Sequence, residues 1–194
     1  MDRLAVLGGA FDPPHIGHLL LAQWALEELG IDRVVFMPYF SSAYKRPVAS
    51  AEDRVEMVSL AIAGIEGFEL DTREVERGGI TYTIDTVEDL LKERPGLEIY
   101  WLLGADALRG LPSWKDWEKL VKLVKFAVAT RHSEGLADQL RDMVGVVYLS
   151  MPRIEISSSL IRERLRQGLS VRFLVPDEVE AYIKRHGLYS GERA

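Results

Sequence analysis

The sequence predicts an α/β fold: a Rossmann-like doubly wound parallel sheet with a small C-terminal helical part. Three observations predict it. Strand-like and helix-like segments alternate along nearly the whole chain, which calls for a parallel sheet covered by helices. The strand candidates are short apolar runs such as Leu-Ala-Val-Leu at 4–7 and Ile-Tyr-Trp-Leu-Leu at 99–103, as expected of strands covered on both faces. Glycine or proline punctuates most of the boundaries. No repeat or linker interrupts the pattern, so the chain reads as a single domain over 1–194, with its helical C-terminal part at about 157–187.

Each element has its own signal. Residues 3–7 form a buried strand that breaks at Gly8-Gly9, and an apolar period of three and four begins at Leu19 and ends at Gly30. Arg-Val-Val-Phe-Met at 33–37 is a second strand that Pro38 ends. Ser50 with Asp53 three residues on is a capping-box variant, opening a helix through Ala63 that Gly64 stops. Phe68, Glu69 and Leu70 read as a strand, and Thr83 or Asp85 starts a helix that runs to about Arg94 before Pro95-Gly96. The strand at 98–103 closes at Gly104. A helix at about 114–124, a strand at 126–130, a helix at 136–143 and a last strand at 146–149 follow. Helices at 158–167 and 177–185 complete the chain. Right-handed crossovers place the loops after the strands along one edge, where ligands of such sheets bind.

Composition excludes several classes. The 194 residues can bury one sizeable core. A net charge of -6 argues against nonspecific nucleic-acid binding. No apolar run approaches the roughly twenty residues of a membrane span. The start lacks a signal-peptide pattern, and cysteine is absent, so the reading is cytoplasmic, without disulfides. Asparagine is absent as well, and charged residues make up 28%, a pattern that fits a thermophilic source.

The stretch Gly8-Gly9-Ala10-Phe11-Asp12-Pro13-Pro14-His15-Ile16-Gly17-His18 joins the first strand to the first helix. Glycines let a bulky group approach the backbone, and the prolines stiffen the path into the helix. His15 and His18, three apart, can share one side of the opening turn, where free N–H groups and the dipole favour phosphate. A cap or a surface pair is the plainer alternative. A zinc pair has no cysteine and only four histidines in the chain to complete it. A second stretch, Ile156-Ser157-Ser158-Ser159-Leu160-Ile161-Arg162, sets three serines before an apolar-periodic helix and an arginine fork one turn in. Alone, the reading as an ordinary cap with a surface arginine is favoured.

The first stretch resembles the signature of the nucleotidyltransferase superfamily, His-x-Gly-His, and its flanking Gly-Gly-x-Phe-Asp-Pro resembles that of bacterial nicotinate-nucleotide adenylyltransferases. The second resembles that family's Ile-Ser-Ser-x-x-Ile-Arg, and the two occur in the family's order. The resemblance implies adenylyl transfer from ATP to nicotinate mononucleotide, yielding the dinucleotide and pyrophosphate. It implies that His15 and His18 are catalytic. It places Gly8, Gly9, Phe11, His18, Lys45, Gly104, Asp106, Ser157, Ser158, Ile161 and Arg162 at ATP. It places Asp12, Lys45, Tyr82, Thr83, Asp106, Trp114 and Arg131 at the second substrate. Thr-Tyr-Thr-x-Asp-Thr at 81–86 is similar to the segment beside the nicotinate ring, Gly-x-Asp-x-Leu at 104–108 to the ribose turn, and Trp114 to the ring-stacking position. Trp24, Trp101 and Trp117 are expected in the core.

Two positions depart from the family: Ala10 stands where Thr or Ser is usual, and Tyr44 where His is common. Mg²⁺ is implied on the ATP phosphates, with no dedicated protein metal site. The partners are the two small-molecule substrates, without nucleic acid or membrane, and oligomeric state is left open. Phosphopantetheine adenylyltransferase and nicotinamide-mononucleotide transfer are rival activities, and a noncatalytic nucleotide sensor is a rival of another class. The literal His-Ile-Gly-His also occurs in class I aminoacyl-tRNA synthetases, whose size and Lys-rich second motif are lacking here.

The composition generates one prediction. The thermal midpoint should lie above the roughly 45–65 °C of mesophilic domains, and calorimetry reading a midpoint within that range would overturn the thermophilic assignment.

Overall fold

The computed structural model describes residues 2–43, 46–129 and 145–191, apart from the side chains of Ala105 and Asp106. The helix expected at 136–143 and Thr130 at the end of its strand lie outside the described residues.

Six strands form one sheet: β1 (Arg3–Gly9), β2 (Val34–Pro38), β3 (Phe68–Leu70), β4 (Glu98–Gly104), β5 (Lys125–Ala129) and β6 (Val146–Leu149), in the order β3-β2-β1-β4-β5-β6. Every neighbouring pair is parallel. The order reverses between β1 and β4, and the crevice outside the carboxyl ends there is where such sheets bind ligands. β1 continues past its expected end at Leu7, because Gly8 and Gly9 pair with Met37 and Pro38 of β2.

Side chains alternate across the sheet and build two cores. On one face Ala5, Leu7, Phe36 and Leu102 pack against α1 (Ile16–Leu29), α2 (Ala51–Ile62), α7 (Ser158–Arg166) and α8 (Asp177–His186). On the other, Val6, Met37, Trp101 and Val128 pack against α4 (Thr83–Glu93) and α6 (Trp117–Leu123). The helices expected at the C-terminus therefore share a core with α1 and α2: Ile161, Val179 and Ile183 are all buried in it.

Capping follows the sequence. Ser50 Oγ accepts from the Asp53 N–H at 3.0 Å, and Gly30 ends α1 in the left-handed conformation at φ 57°. α1 nevertheless starts at Ile16, ahead of Leu19, because His15 is its N-cap. Three short elements carried no periodic signal: α3 (Arg73–Arg77), α5 (Ala105–Arg109) and a 3₁₀ turn over Leu111–Ser113. Trp24 and Trp101 join the cores as expected. Trp117 does not: it stands at the start of α6, partly exposed and in neither core.

Arg33, Arg73, Arg77 and Arg94 pair with Asp2, Glu69, Asp71, Glu93 and Asp89. Isolated surface pairs contribute little, but networks contribute more at high temperature. Arg73 bridges Asp71 at 2.7 Å and Glu93 at 2.8 Å. Replacing Arg73 with Ala should therefore cost about 1 kcal/mol or less at 25 °C. Its effect on the thermal midpoint should shrink in 1 M salt, where screening acts within about 3 Å; a salt-independent effect would assign Arg73 to packing instead.

Candidate functional site

The carboxyl ends of β1 and β4 open onto two adjoining features. The first is the loop from Ala10 into α1, held by contacts from far along the chain. Asp12, only 3% exposed, accepts from the Val48 N–H at 2.7 Å, the Ala49 N–H at 3.0 Å and the Tyr189 hydroxyl at 2.7 Å. Burial and then the Asp12 charge push the Tyr189 phenol upward, so it remains the donor. Asp12, expected at the second substrate, thus spends its carboxylate inside the protein.

The second signature reaches the same loop. Ser157 caps α7, its Oγ accepting from the Leu160 N–H at 3.2 Å. Ser158 Oγ donates to the Pro13 carbonyl at 2.8 Å. Arg162 Nη1 donates to the Asp12 carbonyl at 2.7 Å and lies 3.6 Å from its carboxylate, while Nη2 donates to Ser159 Oγ at 3.2 Å. The two stretches, near opposite ends of the chain, therefore meet. Ile161, expected at ATP, is fully buried; it anchors α7 in the core, which is where its apolar period puts it. Phe11 is also internal, 1% exposed, with its ring 5.0 Å from that of His18.

The histidines stack at 3.7 Å between ring centroids. His18 Nδ1 accepts from the His15 backbone N–H at 3.1 Å. A neutral His18 must then carry its proton on Nε2, the nitrogen that remains free to meet a ligand. His15 is buried, and its Nδ1 has no partner among the described residues. Burial lowers His15 to about 4 and holds His18 well below its usual range, His15 adding to the latter. The unliganded site is therefore a pair of neutral imidazoles, and phosphate charge would draw protons onto them. Gly17 is needed here for His15: a Cβ at Gly17 would come within 3.0 Å of His15 Nδ1.

The second feature is a cavity of about 190 Å³ lined by Gly8, Gly9, Tyr82, Thr83 and Trp114. That is below the roughly 300–1,000 Å³ of whole-ligand sites and comparable to one planar ring. Glycine is required at position 8, since a Cβ there would stand 2.8 Å from Trp101 Cζ2. Gly104 ends β4 at the same edge and caps α5. The Asp106 side chain, Lys45 and Arg131 lie outside the described residues.

Three residues of this region were not foreseen. Arg54 is buried and donates to the carbonyls of Ala10 at 2.8 Å and Phe40 at 2.9 Å, fastening the first loop to the one after β2. Its signal was an arginine on the apolar face of α2, between Ala51 and Val58. Lys115 lines the cavity, its Nζ at 2.9 Å and 3.2 Å from the two Asp85 oxygens and 4.7 Å from the Tyr82 ring centroid. Glu74, on α3, lines it too and is 3% exposed; no pattern in the sequence marked it.

Comparison with known proteins shows the family. The family model for cytidylyltransferase-like proteins matches residues 6–164. A probable nicotinate-nucleotide adenylyltransferase from Synechococcus sp. (strain JA-2-3B'a(2-13)) is 41% identical over 195 residues, covering 96% of both chains. The protein of that name from Bacillus licheniformis is 41% identical over 192 residues, covering 97% of this chain and 99% of its own. Among solved structures, Plasmodium falciparum nicotinic acid mononucleotide adenylyltransferase complexed with NaAD superposes with a TM-score of 0.85 at 20% identity, covering 97% of this chain and 98% of that one. That likeness shows the fold.

The buried imidazoles make a stability prediction with a defined sign. Above the unfolded value near 6.5 both states are neutral; as pH falls toward 4 the unfolded chain takes up a proton that buried His15 refuses. Its contribution, on the order of 3 kcal/mol, is present above pH 6.5 and lost as pH falls through that window. Glu74 has the opposite slope, since burial raises it to about 7, so the contrast is read against a variant. Urea unfolding of His15→Gln should lose less stability than wild type between pH 6.5 and 4.5; equal losses would overturn the buried neutral assignment.

Proposed function

The chain belongs to the nicotinate-nucleotide adenylyltransferase family of cytidylyltransferase-like proteins, and we propose that it transfers the adenylyl group of MgATP to nicotinate mononucleotide, releasing pyrophosphate. The observation that carries this reading is the meeting of the His15–His18 turn with Ser158 and Arg162 on one loop, beside a cavity of ring size.

In this reading the attacking group is the phosphate of the mononucleotide, mostly ionised at neutral pH because its second pKa is about 6. It needs no general base, and the described residues of the site include no nucleophile–base pair. One phosphate oxygen attacks the α-phosphorus, the bond to the β-phosphate oxygen breaks in line, and pyrophosphate leaves with the electron pair. His18 donates from Nε2 to the α-phosphate oxygens as charge gathers there, with His15 stacked behind it. The free N–H groups at the start of α1 face the same charge. The start of α7 and Arg162, once it exchanges the Asp12 carbonyl for phosphate, hold the triphosphate and the leaving group. Lys45 is assigned there too, and Gly104 and Asp106 to ribose, with Arg131 at the acceptor phosphate. Mg²⁺ arrives as part of MgATP: the donors near the loop are imidazoles, N–H groups and a guanidinium, which bind phosphate rather than a hard cation. Tyr82, Thr83 and Trp114 take the pyridine ring, and the N–H groups opening α4 meet its carboxylate. No described helix is long and apolar enough to cross a membrane, in keeping with a cytoplasmic assignment.

Removing one such donor costs on the order of a hundredfold or more. His18→Ala should therefore keep the wild-type circular dichroism and lose at least that much pyrophosphate release, and near-normal turnover would overturn its role. Wild-type turnover on nicotinate mononucleotide should exceed that on nicotinamide mononucleotide and on phosphopantetheine; equal rates would refute the acceptor assignment.

A further inference from the structure

The acceptor cavity contains a group whose sign is wrong for its ligand. Glu74 stands in the wall that also presents Tyr82, Thr83 and Trp114, and an acceptor bearing a carboxylate would bring a second acid into the same 190 Å³. Glu74 cannot swing away. Its carboxyl accepts from the Thr86 hydroxyl at 2.6 Å, and Thr86, one turn into α4, is completely buried.

We propose that Glu74 sets the charge of the acceptor cavity: it stands there as the neutral acid while a carboxylate-bearing acceptor is bound, and once ionised it keeps such an acceptor out. This rests on the nicotinate mononucleotide reading above and deepens it.

The surroundings of Glu74 account for the behaviour. On its own helix Arg77 and Arg73 favour the charged form, and Asp71, before that helix, opposes it. Arg77 is shared, with Nη1 at 3.3 Å from Thr86 Oγ1 and Nη2 at 2.7 Å from Asp89 of α4. From the end of β2, Tyr39 faces the cavity, and its phenol is raised by burial first and by Glu74 in small part. Lys115, on the same cavity, is held by Asp85. Desolvation outweighs all of these, and also the Thr86 hydrogen bond, which favours the charged form; it pushes the Glu74 carboxyl up to about 7, so its ionisation falls near neutral pH. A buried carboxylate and a ligand carboxylate in one small cavity disfavour each other, and a proton on Glu74 removes the conflict.

The test is the KM for nicotinate mononucleotide at saturating MgATP, at pH 6 and pH 8, in wild type and in Glu74→Gln, whose amide oxygen can still accept from Thr86. For wild type the KM should rise about tenfold, following loss of the proton, while Glu74→Gln should stay nearly flat. The substrate's own phosphate, with a pKa of about 6, titrates alike in both and cancels in the comparison. Parallel profiles in the two proteins would overturn the proposal. No turnover of nicotinate mononucleotide by wild type at any pH would instead overturn the functional reading, so the two failures are distinct.

Should Glu74→Gln fail to fold, calorimetry of wild type decides. At pH 7.5, in two buffers of different ionisation enthalpy, nicotinate mononucleotide should take up more protons on binding than nicotinamide mononucleotide, which has the same phosphate. Equal uptake would overturn the proposal.

Discussion

The site depends on one buried carboxylate. Asp12 gathers two backbone N–H groups from the segment before α2, a hydroxyl from Tyr189 after α8, and the flank of Arg162. Hydrogen bonds to a charged group contribute about 1.5–3 kcal/mol each, and a buried charge without them would be costly. The charge is affordable only if β1, the loop after β2, α7 and the segment after α8 converge on it. Convergence at Asp12 is therefore also convergence of the two signature stretches, since Arg162 reaches its carbonyl and Ser158 the next one. Arg54 repeats the arrangement on the other side, with carbonyls of two loops answering one cation.

Below that knot, the sheet supplies rigidity and direction. Parallel strands put every strand's carboxyl end at one edge, and the reversal between β1 and β4 leaves a crevice there. The bare backbone at Gly8 admits the Trp101 ring, so the wall of the ring cavity is part of the second core. The phosphate turn and the ring cavity thus differ in character. One holds two buried imidazoles at a helix start, and the other is a largely apolar slot whose described lining includes one carboxyl, Glu74. Burial governs both, lowering the histidines and raising Glu74. In the proposed reaction, acceptor and nucleotide would meet groups whose protonation such burial has already shifted.

Much of this was legible in the residues themselves. The alternation of apolar runs and helical periods announced a parallel sheet, and Ser50, Gly30 and Pro38 marked boundaries close to those observed. Spacing placed His15 and His18 on one turn, and the serines of 157–159 at a helix start. These are local properties, governed by period, capping and backbone freedom, which a chain carries wherever it is placed. The resemblance of the two stretches to a family's motifs, in that family's order, likewise implied a shared nucleotide.

What the chain alone could not disclose is which side chains turn inward. Asp12 and Ile161, expected at substrates, serve the interior, and Trp117, expected inside, stays partly exposed. α3 is too short for a period, so Glu74 entered the cavity unannounced. Position relative to a sheet edge follows from contacts between residues far apart in sequence, such as Asp12 with Tyr189. Protonation follows from how completely water is excluded by those contacts. Residue types and their local spacing were thus determined by the sequence itself. Exposure, charge state and the meeting of distant loops were decided by tertiary packing, because only packing sets which groups lose their water and which partners replace it.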